Sequence, residues 1–257
     1  YLKKENLDKN TIVIFIGDNG RCNVRGKGYL FEPGINIPLL IYNPFNEGNK
    51  IINDLVTVTD LTATILDYAG IDKPEYMTGK SFLKDDFKRK YVYAARDQWD
   101  EIMDKSRAIV TKKWKYIRNY KPEIPYDAGQ AYLEFYRPAV HIMRTAKSKN
   151  LLTNAQLHFF KESKDLEELY DLENDPHEIN NLALDPSFQN VMNKFRIDME
   201  EYNKRYRPMS DEYEPIIAES VVILEWVKKN RPEEYKRMLD GYEIGFSKSK
   251  DEYYKNN

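Results

Sequence analysis

The chain has 257 residues, of which 41% are hydrophobic, so it can form one or two folded domains with a buried core. Its 40 lysine and arginine residues nearly balance 42 aspartate and glutamate residues, and a formal net charge of −2 gives no basic surface of the kind that binds nucleic acid. A single cysteine, Cys22, excludes an internal disulfide, and no apolar stretch is long enough to suggest a membrane partner.

Residues 11–38 hold the most informative pattern, TIVIFIGDNGRCNVRGKGYLFEPGINIP. The run from 12 to 16 is apolar and rich in β-branched residues, which predicts a buried strand. Asp18 and Asn19 follow within Gly-Asp-Asn-Gly, so they lie beyond the carboxyl end of that strand, where open α/β sheets place their sites. Their oxygen atoms are hard ligands that suit Ca²⁺ or Mg²⁺ better than zinc.

Lys27 stands between Gly26 and Gly28, where residues without side chains let the backbone approach a ligand and the ammonium can counter an anion. A second interpretation stays open, because Asp-Asn-Gly is also ordinary turn chemistry and Gly-Lys-Gly also suits a surface loop. A phosphate-binding P-loop is excluded, because five residues separate Gly20 from Gly26 and a glycine follows Lys27 where Ser or Thr is required.

The strands and helices predicted after this stretch change character along the chain. Residues 39–42 form a second short strand, and residues 60–68 form a helix that ends at Gly70 and either crosses over to a parallel sheet or covers its edge. A small antiparallel sheet is then predicted from strands at 91–95, 106–111, 114–119 and 168–172.

Helices are predicted over 128–160, with a break that Thr153 can cap, and over 186–206, 215–229 and 232–239. The Lys-, Tyr- and Asn-rich end is expected to be disordered. In strand 114–119, alternation predicts that Lys115 and Arg118 face solvent while their neighbours are buried. Helix 186–206 is predicted to turn an apolar stripe toward the core, made of Phe188, Val191, Met192, Phe195 and Met199.

Several segments, taken as an ordered set, resemble the second half of a type I sulfatase, a family of the alkaline-phosphatase-like superfamily. They cover residues 2–206 and comprise GDNG, GKGYLFEPGINIPLLIYNP, VTVTDLTATILDYAGI, YVYAARD, RAIVTKKWKYIRNY and ELYDLENDPHEINNLA. Within the family the chain is most similar to the heparan N-sulfatase (sulfamidase) and to bacterial polysaccharide sulfatases, which share the Pro33-Gly34 pair.

The resemblance implies an α/β fold: the C-terminal part of an alkaline-phosphatase-like mixed sheet flanked by helices, plus a small antiparallel-sheet subdomain with a long helix. Residues 1–90 would complete the catalytic α/β domain, 91–207 would form the C-terminal subdomain, and 208–257 would form a helical, partly flexible extension. The chain is accordingly expected to be the C-terminal portion of a longer enzyme, with the missing N-terminal half as a partner.

The resemblance also implies roles for individual residues. Asp18 and Asn19 match the family's Ca²⁺ ligands, and Lys27 matches its sulfate-binding residue, with a catalytic role. Asn19 favours a sulfatase, because zinc phosphatases and phosphodiesterases of the superfamily place His after the Asp. Asp97 and Asp100 are candidates for sugar contacts, although sulfamidase carries His and Glu there and a turn or strand-edge role stays open.

The nucleophile of this family is a formylglycine made from the Cys or Ser of C/S-x-P-x-R. Cys22 does not fit, because no proline follows it and Arg25 is one residue too near. The formylglycine is therefore expected in the missing N-terminal part, and this chain alone is expected to be inactive. The resemblance implies hydrolysis of sulfate esters or sulfamates of sugars, a sulfated polysaccharide or glycosaminoglycan substrate, and a periplasmic or secreted bacterial protein.

Two other functions stay open from the sequence. A phosphodiesterase or phosphonate hydrolase of the same superfamily would carry His among its remaining metal ligands. A non-catalytic, sulfoglycan-binding fragment would lack a nucleophile upstream of the first residue.

Overall fold

The computed structural model describes residues 1–45, 49–206 and 216–257. The strands of these ranges are β1 (Val13–Ile16), β2 (Leu39–Tyr42), β3 (Val92–Trp99), β4 (Ile102–Val110), β5 (Trp114–Asn119) and β6 (Glu167–Asp171). The helices are α1 (Glu32–Ile35), α2 (Val58–Tyr68), α3 (Ala131–Tyr136), α4 (Ala139–Ser148), α5 (Asn154–Leu157), α6 (Gln189–Tyr206), α7 (Glu219–Asn230), α8 (Pro232–Leu239) and α9 (Phe246–Asn256).

β1 and β2 form a two-stranded antiparallel sheet, in which Val13 lies opposite Tyr42 and Phe15 lies opposite Leu40. All four side chains are on one face, and Phe15 is 63% exposed. The predicted strand is confirmed, but the prediction that it is buried is wrong for this chain, because no described residue covers that face.

α2 begins with a capping box, in which the Asp60 carboxylate accepts a hydrogen bond from the Thr57 backbone N–H at 3.0 Å. Gly70, at a φ of 68°, follows its end as predicted. The predicted crossover to a parallel strand is not observed in the described ranges, since the next strand, β3, belongs to an antiparallel sheet.

The predicted small antiparallel sheet is confirmed, with the strand order β3-β4-β5-β6. The pairing of β3 with β4 shifts between Arg96 and Gln98, which is a bulge that redirects the side chains at the end of β3. β3 then turns into β4 at Asp100, whose φ of 50° lies in the left-handed region. This corner of the sheet approaches the loop that carries Lys27.

Both faces of the sheet are covered, and this corrects the prediction for Lys115. Tyr116 packs toward α6, whereas Ile117 packs on the opposite side with Phe31. Lys115 is fully buried instead of facing solvent, because the segment that follows the Lys27 loop covers its side of β5. Arg118 is half-buried and pairs with Glu167 at 3.3 Å.

The helical predictions hold over the middle of the chain. Thr153 caps α5 in a capping box with Gln156. The apolar stripe of α6 and the turn before it packs on the sheet as predicted, with Met192, Phe195 and Met199 buried and Phe188 and Val191 packed against them.

The C-terminal region differs from its prediction. α7 begins at Glu219, and the predicted helix start at 215 lies outside the described residues. The expected disorder of the end is wrong, because residues 246–256 form α9. Phe246 of this helix packs against a cluster that contains Phe135, Ile223 and Val227. A few aromatic side chains therefore anchor the helix, although most residues of the segment are polar.

The loop after β1 is anchored in the largest buried cluster. Tyr29, Leu30 and Phe31 are almost fully buried and pack with Ala108 and Ile117 of the sheet. This cluster joins residues from both sides of position 90, and the division at 90 and 207 stays a prediction. Among the described residues, no helix combines the length and the apolar composition needed to span a membrane.

Gly34 is required by close backbone packing. A Cβ atom at this position would lie 2.2 Å from the Tyr29 carbonyl oxygen and 2.5 Å from that of Gly26. We therefore expect Gly34→Ala to lower the free energy of unfolding by about 1–3 kcal/mol, since the backbone must move. Denaturant unfolding measures this loss. Gly70→Ala is the control, because its Cβ meets open space and adds only left-handed strain of about 1–2 kcal/mol. A Gly34→Ala variant as stable as the wild type would show that crowding at Gly34 is unimportant.

Candidate active site

The end of β1 places Asp18 and Asn19 on a turn, and the chain then folds back on itself. The Lys27 backbone N–H donates to the Arg21 carbonyl at 2.8 Å, and the Arg21 N–H donates to the Pro33 carbonyl at 2.7 Å. These two bonds close the loop and return Lys27 to the neighbourhood of Asp18. The local sequence therefore brings an oxygen-rich turn and an ammonium group to one place.

The Lys27 ammonium is held by α3. Its Nζ donates to the Tyr132 hydroxyl at 3.1 Å and lies 4.9 Å from the centre of the Tyr132 ring. This hydrogen bond is the main cause that raises the pKa of Lys27, and the negative charge of Asp18 adds to it, whereas burial opposes it. Lys27 is therefore an ammonium group at neutral pH, close enough to Asp18 to interact with its charge.

Gly28 fits the loop against the end of β3. Its φ is 90°, and a Cβ atom there would lie 1.9 Å from the Trp99 ring. The Arg96 guanidinium donates to the Gly28 carbonyl at 2.6 Å and pairs with Asp104 at 3.0 Å. Gly28 thus makes room for the Trp99 indole. The sequence predicts instead that the glycine lets the backbone approach a bound ligand.

A buried ion cluster fixes the segment that follows the loop. Lys115 Nζ lies 2.7 Å from a carboxylate oxygen of Glu32 and 2.7 Å from one of Glu178. The second Glu178 oxygen accepts a hydrogen bond from the Glu32 backbone N–H at 2.6 Å. The Arg25 guanidinium donates to the His177 carbonyl at 2.7 Å and lies over the Phe31 ring, so it helps to fix the same segment.

The two acidic candidates for sugar contacts are placed differently. Asp100 is half-buried and lies close enough to Lys27 for the ammonium to favour its ionised form, although burial is the larger influence and raises the pKa of Asp100. Asp97 pairs with the buried Arg107 at 2.6 Å, and its side chain is only 10% exposed. The structure brings Asp100 toward Lys27 and engages Asp97 in the sheet; a sugar contact stays a prediction for both.

The donor set of the turn fits a hard divalent cation. Asp18 is exposed, and neither of its carboxylate oxygens has a hydrogen bond or ion pair to the described residues. Within the described ranges, the Asn19 amide oxygen accepts one hydrogen bond, from the Cys22 thiol at 3.4 Å. Two such ligands are fewer than the six to eight that calcium prefers. No group of three or more His, Cys, Asp or Glu side chains suited to a metal occurs in the described ranges.

The three histidines stay apart, as the sequence indicated. His158 is packed between Phe31 and Tyr126, and burial lowers its pKa to about 4. His141 is buried in α4, and burial lowers its pKa as well. His177 is exposed. None of them adds a ligand to the turn at Asp18.

Sequence reasoning missed Tyr132 and Trp99 as neighbours of Lys27. Trp99 directly precedes the acidic candidate Asp100, and this adjacency was the only local signal for it. Tyr132 lies 105 residues after Lys27, in a helix whose apolar positions look like ordinary core. Nothing in the linear pattern connects it to the loop.

Comparisons with known proteins identify the family of the chain. The family model described as N-sulphoglucosamine sulphohydrolase, C-terminal, matches residues 20–128 and 123–205. An ulvan-active sulfatase of Formosa agariphila is 34% identical over 204 residues, which cover 78% of this chain and 34% of that protein. The N-sulphoglucosamine sulphohydrolase of Homo sapiens is 28% identical over 214 residues, which cover 76% of this chain and 42% of that protein.

A solved structure described as a 2-O GAG sulfatase superposes with a TM-score of 0.55 and 21% identity, covering 80% of this chain and 40% of that structure. This likeness confirms the predicted fold class, an alkaline-phosphatase-like α/β fold of which the chain holds only a part. The chain thus spans less than half the length of each protein named here. With the family model matching most of its residues, the chain belongs to the C-terminal family of the N-sulphoglucosamine sulphohydrolases, within the sulfatases.

Proposed function

We propose that the complete protein hydrolyses sulfate esters or sulfamates of sugars, and that this chain supplies the metal-binding turn and the sulfate-binding lysine. The observation that carries the proposal is the return of Lys27 to the Asp18 turn, closed by its backbone bond to Arg21. The printed names of the relatives, an ulvan-active sulfatase and an N-sulphoglucosamine sulphohydrolase, support sulfated polysaccharides as the substrate class. A periplasmic or secreted location is part of the same proposal.

Asp18 and Asn19 would hold Ca²⁺ together with ligands from the N-terminal part, and the formylglycine nucleophile would come from that part too. Calcium bound there would counter the negative charge of the sulfate group. The Lys27 ammonium, oriented by its hydrogen bond to Tyr132, would neutralise the charge that develops on the sulfuryl oxygens as the sulfur–oxygen or sulfur–nitrogen bond breaks. Asp100, whose carboxylate is influenced by the Lys27 ammonium, would contact sugar hydroxyl groups. Asp97 would contribute less, because it pairs with Arg107.

Removal of the metal tests the proposal. Treating the complete protein with a calcium chelator should abolish release of inorganic sulfate from sulfated saccharides, because the ligand charges are then uncompensated, and added Ca²⁺ should restore it. Ion chromatography of released sulfate measures the effect. Sulfate release that persists after exhaustive chelation would contradict the calcium assignment.

A pair of variants localises the metal to this turn. Asp18→Asn should raise the Ca²⁺ concentration needed for half-maximal sulfate release by about tenfold or more, because one ligand charge is lost. Asp72→Asn removes the same charge from an exposed carboxylate elsewhere and should leave that concentration unchanged. If both variants need the same Ca²⁺ concentration for half-maximal sulfate release, Asp18 is not a calcium ligand.

A further inference from the structure

The Tyr132 hydroxyl has a proton for which the described residues provide no acceptor. Its oxygen accepts the hydrogen bond from Lys27 Nζ at 3.1 Å, so its own proton is directed elsewhere. Among the described residues no acceptor receives that proton. The Tyr132 hydroxyl is half-buried beside an ammonium group, so its proton is available for a hydrogen bond to a bound anion.

The surroundings hold Tyr132 in this orientation. The Glu101 carboxylate accepts a hydrogen bond from the Ala131 backbone N–H at 2.7 Å, which ties the start of α3 to the turn between β3 and β4. The Tyr132 ring lies 5.7 Å from the Trp99 ring, which itself fills the space above Gly28. The hydroxyl is therefore positioned from two sides and needs little reorganisation to meet a ligand.

The charge of Lys27 is also uncompensated by direct contact. No carboxylate of the described residues lies within ion-pair distance of its Nζ, and its one side-chain hydrogen bond goes to the neutral Tyr132. An ammonium group has three donors, so two stay available for a ligand. Lys27 and Tyr132 therefore present adjacent donors, and the oxygens of one tetrahedral anion match such a pair in spacing.

We propose that Tyr132 contacts the substrate, and that its hydroxyl donates a hydrogen bond to a sulfate oxygen next to the oxygen held by Lys27. This inference rests on the proposed function and adds a residue from α3 to the sulfate site. The ligand class is a sulfated sugar or its product, inorganic sulfate. Tyr132 acts as a donor in its own right, beyond orienting Lys27.

A double-mutant cycle in the complete protein tests the proposal, with inorganic sulfate as the probe. Sulfate stabilises whichever variant binds it, so the rise of the thermal midpoint with sulfate concentration gives the dissociation constant even where turnover is lost. Tyr132→Phe keeps the ring and should weaken sulfate binding about tenfold, the usual worth of a hydrogen bond to a charged group. The same loss should appear when Tyr132→Phe is added to Lys27→Ala.

Tyr120→Phe is the matched control, because the Tyr120 hydroxyl also accepts a hydrogen bond from a side-chain donor, Asn203, at 2.9 Å, far from the site. A loss that appears only when Lys27 is present would mean that Tyr132 merely positions the lysine, and would overturn the proposal. No loss in either background would overturn it as well. If Lys27→Ala itself left sulfate binding unchanged, the proposed sulfate site would fail, which is a separate result.

Discussion

Replacing Lys115 by methionine is expected to lower the free energy of unfolding by about 3–5 kcal/mol, the usual cost of leaving a buried charge without its partner. Lys115 is fully buried, and its ammonium lies 2.7 Å from each of two carboxylates, on Glu32 and on Glu178. Methionine fills a similar volume, so the loss reflects charge rather than a cavity. Urea unfolding of the variant and of the wild type measures it.

The pH dependence of this loss identifies its cause. Burial already raises the pKa of Glu178 above 4.5 while Lys115 is present, and removal of Lys115 raises it further. A carboxyl group whose pKa is higher in the folded state contributes stability at acid pH, and that contribution disappears as the pH rises through its folded pKa. The deficit of Lys115→Met should therefore be smallest in acid and grow as the pH rises above 4.5.

Two further variants provide the controls. Lys113→Met changes an exposed lysine of the same hairpin, 43% exposed, and should alter stability by less than about 0.5 kcal/mol. Lys115→Met combined with Glu178→Gln removes one of the stranded charges and should recover part of the loss. A Lys115→Met variant as stable as Lys113→Met, at every pH, would show that the cluster does not hold this segment.

The same cluster shows where sequence patterns stop being informative. The residue pattern of β5 correctly predicts the burial of Tyr116 and Ile117, whereas Trp114 is only half-buried. It predicts a solvent-facing Lys115, because a single strand does not reveal Glu32 and Glu178, which reach it from distant parts of the chain. Whether a charged side chain is buried depends on oppositely charged residues that the tertiary fold places beside it. The alternation of residues within one strand therefore does not predict it.

The candidate site divides in the same way. The position of Asp18 and Asn19 on a turn directly after β1 is predictable, since the strand and the turn residues are adjacent in sequence; their role as metal ligands stays a prediction. The role of Lys27 is implied by the family resemblance, whereas Gly28 gives space to the Trp99 ring. Tyr132 is not predictable, because its contact with Lys27 exists only once α3 packs beside the loop. The aromatic and acidic surroundings of the site are therefore a product of tertiary structure.

Lys27→Ala in the complete protein is expected to reduce the rate of sulfate release about 100-fold, as is usual when an electrostatic donor to a developing negative charge is removed. The effect should fall mainly on kcat, because the lysine contributes most where the sulfuryl oxygens gain charge. Release of inorganic sulfate from a sulfated saccharide, followed at saturating substrate, measures the change.

The charge state of Lys27 gives this prediction a second test. Its pKa is raised from 10.5, first by the Tyr132 hydrogen bond, so Lys27 is an ammonium group throughout the neutral pH range. The ratio of wild-type to Lys27→Ala rates should therefore be constant across that range. Lys80→Ala is the control, since Lys80 is an exposed loop lysine that also follows a glycine. The Lys80→Ala variant should release sulfate at the wild-type rate. Equal rates for wild type and Lys27→Ala would remove Lys27 from the reaction.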